Sequence, residues 1–373
     1  MPLQPNDLEN TLTESLHLLQ QMVAIPSTSR NEEAVADLLQ QYMQDTSGLE
    51  VQRLHNNLWL VAPGYELGRP TLLLNAHIDT VKPVSTWQHD PFTPTLETVT
   101  GADGHIEERL YGLGTNDDGA SVVSLLHTFF LLIKDPKPLA YNLILLLSAE
   151  EEVSGKSGIE SVLPLLPPID VAIVGEPTGM QPAVAEKGLV VLDGVAHGRS
   201  GHAARNEGVN ALYIAVDAIQ RLRNFRFEHE SSTLGPIKVT VTGVQAGTVH
   251  NVIPDTCSFM VDCRTTDAYT NEEVVATLRA QIADLDCELN PRSTRLQPSG
   301  ISSSHPLMRQ ILQQGCQPFG SPTLSDQALM RFPSVKIGPG QSSRSHTADE
   351  YIRPDEISQA IQFYWTLLRD LKL

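Results

Sequence analysis

Basic side chains are scarce in this chain of 373 residues. It carries 26 Lys and Arg against 44 Asp and Glu, which gives a formal net charge of −18 at pH 7. Phosphate backbones and anionic lipid surfaces repel so acidic a protein, so we expect neither a nucleic-acid partner nor a membrane-surface role. Cations and metal ions remain open as partners.

Long apolar segments and cysteine pairs are also missing. The longest apolar runs, such as 129–133 and 143–147, fall far short of the ~20 residues that a membrane span requires. Residues 1–9 are polar and acidic, which is not the pattern of a secretory signal. The four cysteines form no CxxC pair and do not indicate a disulfide framework in a chain of this length. We therefore expect a reduced, cytoplasmic protein.

The length of the chain predicts two domains at roughly 100–200 residues each, and a hydrophobic content of 41% supports a full core. The first half alternates helical patterns with short apolar runs. Helices are predicted at 8–25, 34–43 and 120–133, and strands at 58–62, 71–76, 142–148 and 170–174. Ser29 and Glu32 are predicted to form a capping box before the second helix. Strands this apolar indicate an α/β sheet that helices cover on both faces.

A different pattern begins near residue 180. A half-polar strand at 187–197 is followed by a helix at 209–222, two strands at 237–244 and 256–264, and a helix that opens with a capping box of Thr270 and Glu273. A β-α-β-β-α-β order over about a hundred residues is typical of a ferredoxin-like α+β domain. An apolar strand returns at 334–337. We therefore predict an α/β domain at 1–180 and 293–373, with a small domain inserted at 181–292.

His77 directly follows a predicted strand. Ligands bind at the carboxyl ends of strands in open α/β sheets, so a histidine there is well placed to bind a metal. Asp79, two residues later, could orient the ring by accepting its other N–H. A hydrogen-bonded loop histidine fits the same pattern, so this motif alone leaves both interpretations open.

Asp117 and Asp118 lie in a glycine-containing segment, 112–119, before the third predicted helix. No Lys-Ser/Thr pair follows these glycines, which excludes a Walker-type phosphate loop. Carboxylates at a helix N-terminus also interact favourably with the helix dipole, and that is the alternative to a functional role.

Further acidic and histidine side chains follow the later strands. Three consecutive glutamates, 150–152, come immediately after the strand at 142–148. Adjacent carboxylates repel one another unless a cation lies among them, so a functional role is favoured over a solvated face. Glu176 and His346 likewise follow predicted strands.

All these candidates follow, or lie between, strands of one predicted sheet: His77, Asp117, Glu151, Glu152, Glu176 and His346. Two imidazoles and several carboxylates suit divalent zinc, and oxygen-rich ligation also allows cobalt or manganese. The sequence therefore predicts a metal site at the carboxyl edge of this sheet.

The motifs resemble those of the M20 family of dinuclear metallohydrolases, in particular its acetylornithine deacetylase and succinyl-diaminopimelate desuccinylase branch. The resemblance rests on AHIDT at 76–80, GTND at 114–117, EEE at 150–152, GEPT at 175–178 and the closing His346. These segments occur in the order and spacing of the family and span nearly the whole chain.

The resemblance implies a two-metal aminopeptidase-like domain with a mixed sheet, and an inserted lid domain. Asp117 would bridge two divalent metal ions, zinc or cobalt. His77 and Glu176 would complete the first metal site, and Glu152 with His346 the second.

The same resemblance implies the catalytic roles. Glu151 would be the general base, and Asp79 would orient the first histidine. In the lid, His202 would reach the active site of the partner subunit and stabilise the oxyanion, which implies a homodimer through the lid. Asn251 and Arg264 would bind the substrate carboxylate. Without the family, His202 is a turn histidine and Arg264 a member of a surface ion pair.

The implied activity is a metal-dependent amidohydrolase that removes an acetyl or succinyl group from the α-nitrogen of an amino acid. N-acylornithine and N-acylcitrulline deacylases of arginine biosynthesis are the most similar group. A succinyl-diaminopimelate desuccinylase or a di- or carboxypeptidase stays open, because these substrates present the same scissile amide. A non-catalytic, metal-stabilised scaffold is the alternative from another class, and a base such as Glu151 beside the metal ligands disfavours it.

Overall fold

A computed structural model describes residues 3–100, 104, 106–205 and 207–373. The chain divides into two units. The first comprises Met1–Val184, Gly300–Phe319 and Ser325–Leu373, and the second comprises Ala185–Ser299 and Gly320–Leu324.

The helices are α1 (Pro5–Val23), α2 (Glu33–Ser47), α3 (Ala120–Lys134), α4 (Ile159–Val162), α5 (Ala211–Asn224), α6 (Asn271–Ala280), α7 (Pro306–Gln313) and α8 (Pro354–Leu368). The strands are β1 (Gln52–Leu54), β2 (Asn57–Val61), β3 (Thr71–His77), β4 (Thr95–Thr100), β5 (Ile106–Tyr111), β6 (Asn142–Ser148), β7 (Val171–Val174), β8 (Ala183–Glu186), β9 (Gly188–His197), β10 (Gly201–His202), β11 (Lys238–Ala246), β12 (Val252–Ile253), β13 (Thr256–Thr265), β14 (Cys287–Pro291), β15 (Ser299–Gly300), β16 (Phe319–Ser321), β17 (Ser334–Lys336) and β18 (Tyr351–Ile352). Within the part of the chain that the structure describes, no helix is long and apolar enough to cross a membrane.

Six successive strands of the nine-stranded main sheet lie in the first unit, in the order β1-β2-β6-β3-β7-β17. Strands β6, β3, β7 and β17 run parallel, whereas β2 pairs antiparallel with β6. The sheet is therefore mixed, as predicted.

Helices cover this sheet on both faces. Leu72 and Leu74 of β3 belong to a hydrophobic cluster with residues of α1, α3 and α8, whereas Leu73 belongs to a second cluster with residues of α4. Successive side chains of a strand point to opposite faces, so an all-apolar strand fits only between two covered faces. Each fully buried leucine contributes about 1.5–3 kcal/mol by leaving water. The prediction of a doubly covered sheet is confirmed.

The second unit contains a four-stranded antiparallel sheet of order β11-β13-β9-β14. Helices α5 and α6 contribute to one hydrophobic cluster with strand residues such as Val190 and Val261, so both helices pack on the same face. The capping box of Thr270 and Glu273 at the start of α6 is present, as predicted.

The predicted capping box of Ser29 and Glu32 is wrong. Glu32 is itself the N-cap residue of α2 and caps it with no side-chain hydrogen bond. Its carboxylate is buried and accepts hydrogen bonds from the backbone N–H of Arg30 and from Asn56 Nδ2. The hydroxyl of Ser29 donates to Asp79 instead. It therefore binds a carboxylate that is distant in the chain and does not cap the helix.

Candidate metal centre

Three parallel strands bring histidine and acidic side chains to one edge of the main sheet. His77 is the last residue of β3 and lies opposite Ser148, the last residue of β6. Glu151 begins a turn of 3-10 helix after β6, and Glu176 follows β7 by two residues. Because the strands are parallel, their carboxyl ends meet at one edge, where ligands bind in such sheets.

Two glycines allow this edge to approach the start of α3. A Cβ added to Gly175 would lie 2.5 Å from the Cβ of Ser121, and one added to Gly338 would lie 2.6 Å from the carbonyl oxygen of Glu176. A larger side chain at either position would displace the backbone. These glycines therefore set how closely Glu176 lies to α3.

Asp117 lies between two histidines. Its Oδ1 is 3.2 Å from His77 Nε2, and its Oδ2 is 3.6 Å from His346 Nε2. His346 Nε2 also lies 3.0 Å from Glu152 Oε2. The structure thus brings together four of the predicted site residues, which come from four separate segments of the chain.

The donor atoms form two groups that share His77. One group adds Asp117 and Glu152, the other adds Glu151 and Glu176, and within each group the donor atoms lie within 4.8 Å of one another. Imidazole nitrogen and carboxylate oxygen are ligands that zinc accepts, and cobalt and manganese accept them too. The donor set therefore fits divalent cations, and this edge is a candidate metal site.

The carboxylate of Asp79 is buried and accepts hydrogen bonds from three donors. The backbone N–H of Glu151 donates to Oδ1 at 2.9 Å, while the backbone N–H of Glu152 and the hydroxyl of Ser29 donate to Oδ2 at 3.2 and 2.7 Å. His77 Nδ1 lies 2.9 Å from the backbone carbonyl oxygen of Asp79 and 3.5 Å from its carboxylate. A carbonyl oxygen only accepts hydrogen bonds, so Nδ1 carries a proton. The other ring nitrogen, Nε2, faces the candidate metal ligands. Asp79 thus orients the ring mainly through its backbone, and its carboxylate holds the turn that carries the two glutamates.

The charges around the histidines favour cations. Burial opposes protonation of His77, but its hydrogen bonds to Asp117 and Asp79 outweigh that effect and hold its pKa well above the usual value. The hydrogen bond to Glu152 raises the pKa of His346 to about 9. Burial would raise the pKa of Asp117, but its hydrogen bond to His77 and the charge of that ring lower it. The site therefore has a strongly negative potential, which attracts cations.

Glu151 and Glu176 have a raised affinity for protons. Burial raises the pKa of Glu151 well above the usual value, and the negative charge of Glu176 adds to this against the opposing charge of His77. Burial also raises the pKa of Glu176, with Lys336 opposing and Asp117 adding to the effect. A carboxylate whose pKa is raised in this way can accept a proton from a bound group and release it again.

Three further buried carboxylates at this edge were not predicted as site residues: Asp118, Asp326 and Glu350. Burial raises the pKa of Asp118 to about 7 and that of Asp326 to about 6. Burial and the charge of Asp117 raise the pKa of Glu350 to about 8. Asp118 adjoins Asp117, Asp326 begins a turn of 3-10 helix, and Glu350 lies four residues after His346. A single acidic residue at such a place forms no motif, so the sequence does not mark it as a site residue.

In the second unit, His202 ends one strand of a short two-stranded ribbon, and Asn251 immediately precedes the other strand. Strand β10 pairs with β12, and the backbone N–H of Ala203 donates to the carbonyl oxygen of Asn251 at 3.0 Å. The His202 side chain is exposed, and its Nδ1 accepts from the backbone N–H of Ala204 at 3.1 Å. In the neutral ring, Nε2 therefore carries the proton and can act as a donor.

Arg264 lies toward the opposite end of β13 from this ribbon. The nine residues from Thr256 to Arg264 span about 26 Å at strand geometry. The guanidinium pairs with Asp262 on the same strand, with Nε 3.0 Å from Oδ1 and Nη2 3.2 Å from Oδ2. The structure therefore shows Arg264 in the ion pair that the sequence left open as its alternative role, and away from Asn251 along the strand.

Comparison with solved structures identifies the fold. A tripeptidase from Staphylococcus aureus subsp. aureus Mu50 superimposes with a TM-score of 0.74 at 19% sequence identity, covering 96% of this chain and 99% of that one. A dinuclear metal-binding peptidase of the M20 family from Bacillus subtilis superimposes with a TM-score of 0.74 at 17% identity, covering 97% and 98%. The chain therefore has the fold of M20 peptidases.

Sequence comparison agrees with the fold. The chain is 29% identical to an acetylornithine deacetylase of Shigella sonnei (strain Ss046), over 92% of this chain and 94% of that protein. Residues 73–370 match the family model "Peptidase family M20/M25/M40", which is most of the chain and includes every predicted metal ligand. The chain therefore belongs to this peptidase family and is a hydrolase that acts on amide bonds.

Proposed function

We propose that the chain is a two-metal amidohydrolase that removes an acetyl or succinyl group from the α-nitrogen of an amino acid such as ornithine or citrulline. The observation that carries this proposal is the position of Glu151, a half-buried proton acceptor whose carboxylate lies within 4.8 Å of the donor atoms of His77 and Glu176. A scaffold that only binds metal has no use for such a base. The resemblance to an acetylornithine deacetylase supports the choice of substrate.

The proposed metal ligands are the side chains around Asp117. Asp117 would bridge the two cations, with His77 and Glu176 at one and Glu152 and His346 at the other. The two oxygens of Asp117, which face different histidines, support this assignment. We propose zinc, with cobalt able to replace it. When bound, the two cations supply Lewis acidity, which polarises the scissile carbonyl and lowers the pKa of the attacking water.

Glu151 moves the proton in the proposed reaction. As the water oxygen bonds to the carbonyl carbon, one water proton passes to the Glu151 carboxylate. As the C–N bond breaks, that proton passes to the leaving nitrogen, so a carboxylic acid and an amine are released. Asp79 holds the Glu151 backbone N–H at 2.9 Å and so keeps the base aimed during both transfers.

The second unit supplies the proposed contacts to substrate. His202 would donate from Nε2 to the oxyanion in the active site of the partner subunit, which requires a homodimer through the second unit. Asn251 and Arg264 would bind the substrate carboxylate. Because Asp262 occupies Arg264 Nε and Nη2, the guanidinium would bind that carboxylate through its remaining N–H donors.

We assign the activity to arginine biosynthesis in the cytoplasm. A small N-acyl amino acid is the expected partner. The net charge of −18 disfavours nucleic acid as a partner.

The test is amine release from a panel of amides by protein loaded with zinc or cobalt. The panel contains N-acetylornithine, N-acetylcitrulline, N-succinylornithine, N-succinylcitrulline, N-succinyl-diaminopimelate and several dipeptides, each with a chelator control. We expect chelator-sensitive release from one N-acylornithine or N-acylcitrulline. If protein with two bound metal ions releases no amine from any compound of the panel, the proposal is contradicted and the non-catalytic scaffold is favoured.

A peptidase or desuccinylase is the second candidate, because solved structures that share the fold include a tripeptidase. Release from a dipeptide alone, or from N-succinyl-diaminopimelate alone, would select it. The same Glu151 chemistry would then act on a different acyl group.

A further inference from the structure

Glu350 is a buried carboxylate that grips the backbone beside Asp117. Only 2% of its surface is exposed. Its Oε1 accepts hydrogen bonds from the backbone N–H groups of Asn116 and Asp117, both at 2.9 Å. One oxygen atom therefore fixes two consecutive peptide groups, and the second belongs to the residue whose side chain lies between the two histidines.

The position of Glu350 along the chain joins two separate loops. It comes four residues after His346, so the loop that carries His346 also supplies the side chain that holds Asp117. The backbone N–H of Gly112 donates to the carbonyl oxygen of Glu350 at 3.0 Å and ties the two segments a second time. Asp117 Oδ2 lies 3.6 Å from His346 Nε2. This distance is therefore set by the hydrogen bonds of Glu350 to the Asp117 segment and by the four-residue backbone step from Glu350 to His346.

The neighbouring residue anchors the same loop to a different place. Asp349 Oδ1 accepts from the backbone N–H groups of Gln88 and His89 at 2.9 Å each, and it lies 3.0 Å from His89 Nδ1. Neither Gln88 nor His89 belongs to the donor groups of the metal site. Asp349 and Glu350 thus attach the loop of His346 to two different segments of the chain. Of these two carboxylates, Glu350 is the one that contacts the backbone of a predicted metal ligand.

We propose that Glu350 is a positioning residue that sets the spacing of Asp117 and His346 and so tunes metal affinity. The inference rests on the proposed function, in which both residues are metal ligands. This role requires a side-chain oxygen that can accept hydrogen bonds from the backbone N–H groups of Asn116 and Asp117. It does not require a negative charge. Residues that support a metal ligand in this way change metal affinity by about 10–100-fold when they are lost.

The first measurement is hydrogen exchange of metal-free protein, which does not depend on catalysis. In Glu350→Ala, we expect the amides of Asn116 and Asp117 to exchange at least about tenfold faster, since a protecting hydrogen bond is lost at each. Glu350→Gln keeps an oxygen at the same reach, so protection should be nearly unchanged. In the matched control, Asp349→Ala, exchange should rise at Gln88 and His89 and stay unchanged at Asn116 and Asp117.

The second measurement is calorimetric titration with zinc or cobalt. Glu350→Ala should weaken binding of at least one cation by about 10–100-fold, whereas Glu350→Gln and Asp349→Ala should remain within a few-fold of the native affinity. In metal-saturated enzyme, Glu350→Ala should lower kcat more than it raises KM, because substrate contacts are untouched. If Glu350→Ala does not fold, Glu350→Asp replaces it, since its shorter side chain cannot reach both N–H groups.

The outcomes separate this inference from the proposed function. Unchanged exchange at Asn116 and Asp117 in Glu350→Ala would show that Glu350 does not hold these two peptide groups. Faster exchange with native metal affinity would overturn the positioning role. Equal losses in Glu350→Gln and Glu350→Ala would assign the effect to charge and not to the acceptor oxygen. If native protein binds two cations but hydrolyses no amide, the proposed function fails while the exchange and titration results still decide the role of Glu350.

Discussion

Ser29 donates a hydrogen bond from its hydroxyl to Asp79 Oδ2 at 2.7 Å. This contact joins the segment before α2 to the end of β3 and fixes the carboxylate that holds the turn of Glu151 and Glu152. Burial would raise the pKa of Asp79, but the interaction with His77 and the charge of that ring, followed by the hydrogen bonds from Ser29 and Glu151, outweigh burial and lower it. Asp79 therefore stays ionised, and Ser29 is part of the support of the proposed base.

We expect Ser29→Ala to lower kcat/KM about tenfold. A hydrogen bond to a charged group contributes about 1.5–3 kcal/mol, and about 1.4 kcal/mol of lost alignment corresponds to a factor of ten in rate. The measurement is steady-state kinetics on the best substrate of the panel. Asn31→Ala is the control, because Asn31 is exposed in the same loop and its side-chain amide makes a long contact, 3.4 Å, with Thr28 Oγ1. Identical kinetics for the two variants would show that the Ser29 contact does not support the base.

Glu151→Gln should lower kcat by about 10²–10⁴-fold, the usual contribution of a general base. The amide has the shape of the carboxylate but cannot accept the water proton, so metal content should stay at two ions per chain. Metal analysis and kinetics on the same sample test both statements. Glu150→Gln is the matched control, since Glu150 precedes Glu151 in the chain and belongs to neither donor group. Native turnover by Glu151→Gln would remove Glu151 from the mechanism.

His346→Ala should release one cation and retain the other. In the proposed assignment His346 ligates a single ion with Glu152, whereas Asp117 bridges both ions. Asp117→Ala should therefore deplete the metal content further than His346→Ala. Metal analysis after gel filtration in buffer without added metal makes the comparison. Equal loss from both variants would contradict the division of ligands between two cations.

The parts of the fold that local pattern determines were predicted from the sequence. Strand β6 has the predicted bounds, and α3 differs from its prediction by one residue, because an apolar run between polar ends fits only a buried element. The three-stranded sheet of β4, β5 and β18 was not predicted. Its strands are short and carry many charged residues, such as Glu97 and Arg109, so their sequence resembles that of a loop.

The site shows the same division. The strands that end in or precede His77, Glu151 and Glu176 could be read in sequence, and the rule that parallel strands share an edge placed these residues together. Ser29 and Glu350 were not predicted as residues of the site. Each forms hydrogen bonds with a residue that is distant in the chain, Asp79 or Asp117. A single serine or glutamate has no pattern that reveals such a partner.

His202→Ala should leave the metal content unchanged and slow the chemical step. Loss of one oxyanion donor typically lowers kcat by about 10²–10³-fold. Single-turnover kinetics would separate the chemical step from substrate binding. His197→Ala is a useful control, since His197 is a partly exposed histidine of the same unit that faces Glu288. If His202→Ala and His197→Ala behave alike, His202 has no role in catalysis.

His127 is buried in the first unit in its neutral form. Its Nδ1 donates to the carbonyl oxygen of Val123 at 2.8 Å and lies 3.0 Å from Ser15 Oγ, and its Nε2 accepts from the Tyr42 hydroxyl at 2.8 Å. Burial lowers its pKa to about 4, against the opposing hydrogen bond to Val123. Protonation would place a charge on a ring that is buried away from water, so the folded protein resists charging it.

This lowered pKa makes the stability of the protein depend on pH. Below about pH 6.5 the unfolded chain binds a proton at His127 that the folded chain refuses until about pH 4, so the free energy of unfolding falls across that window by up to about 3 kcal/mol. Urea midpoints should therefore show the gap between native protein and His127→Gln narrowing as pH falls from 7 to 4. His17→Gln, which removes an exposed histidine of α1, is the control for the loss of a histidine elsewhere. A constant gap for His127→Gln would mean that the ring is charged in the folded protein.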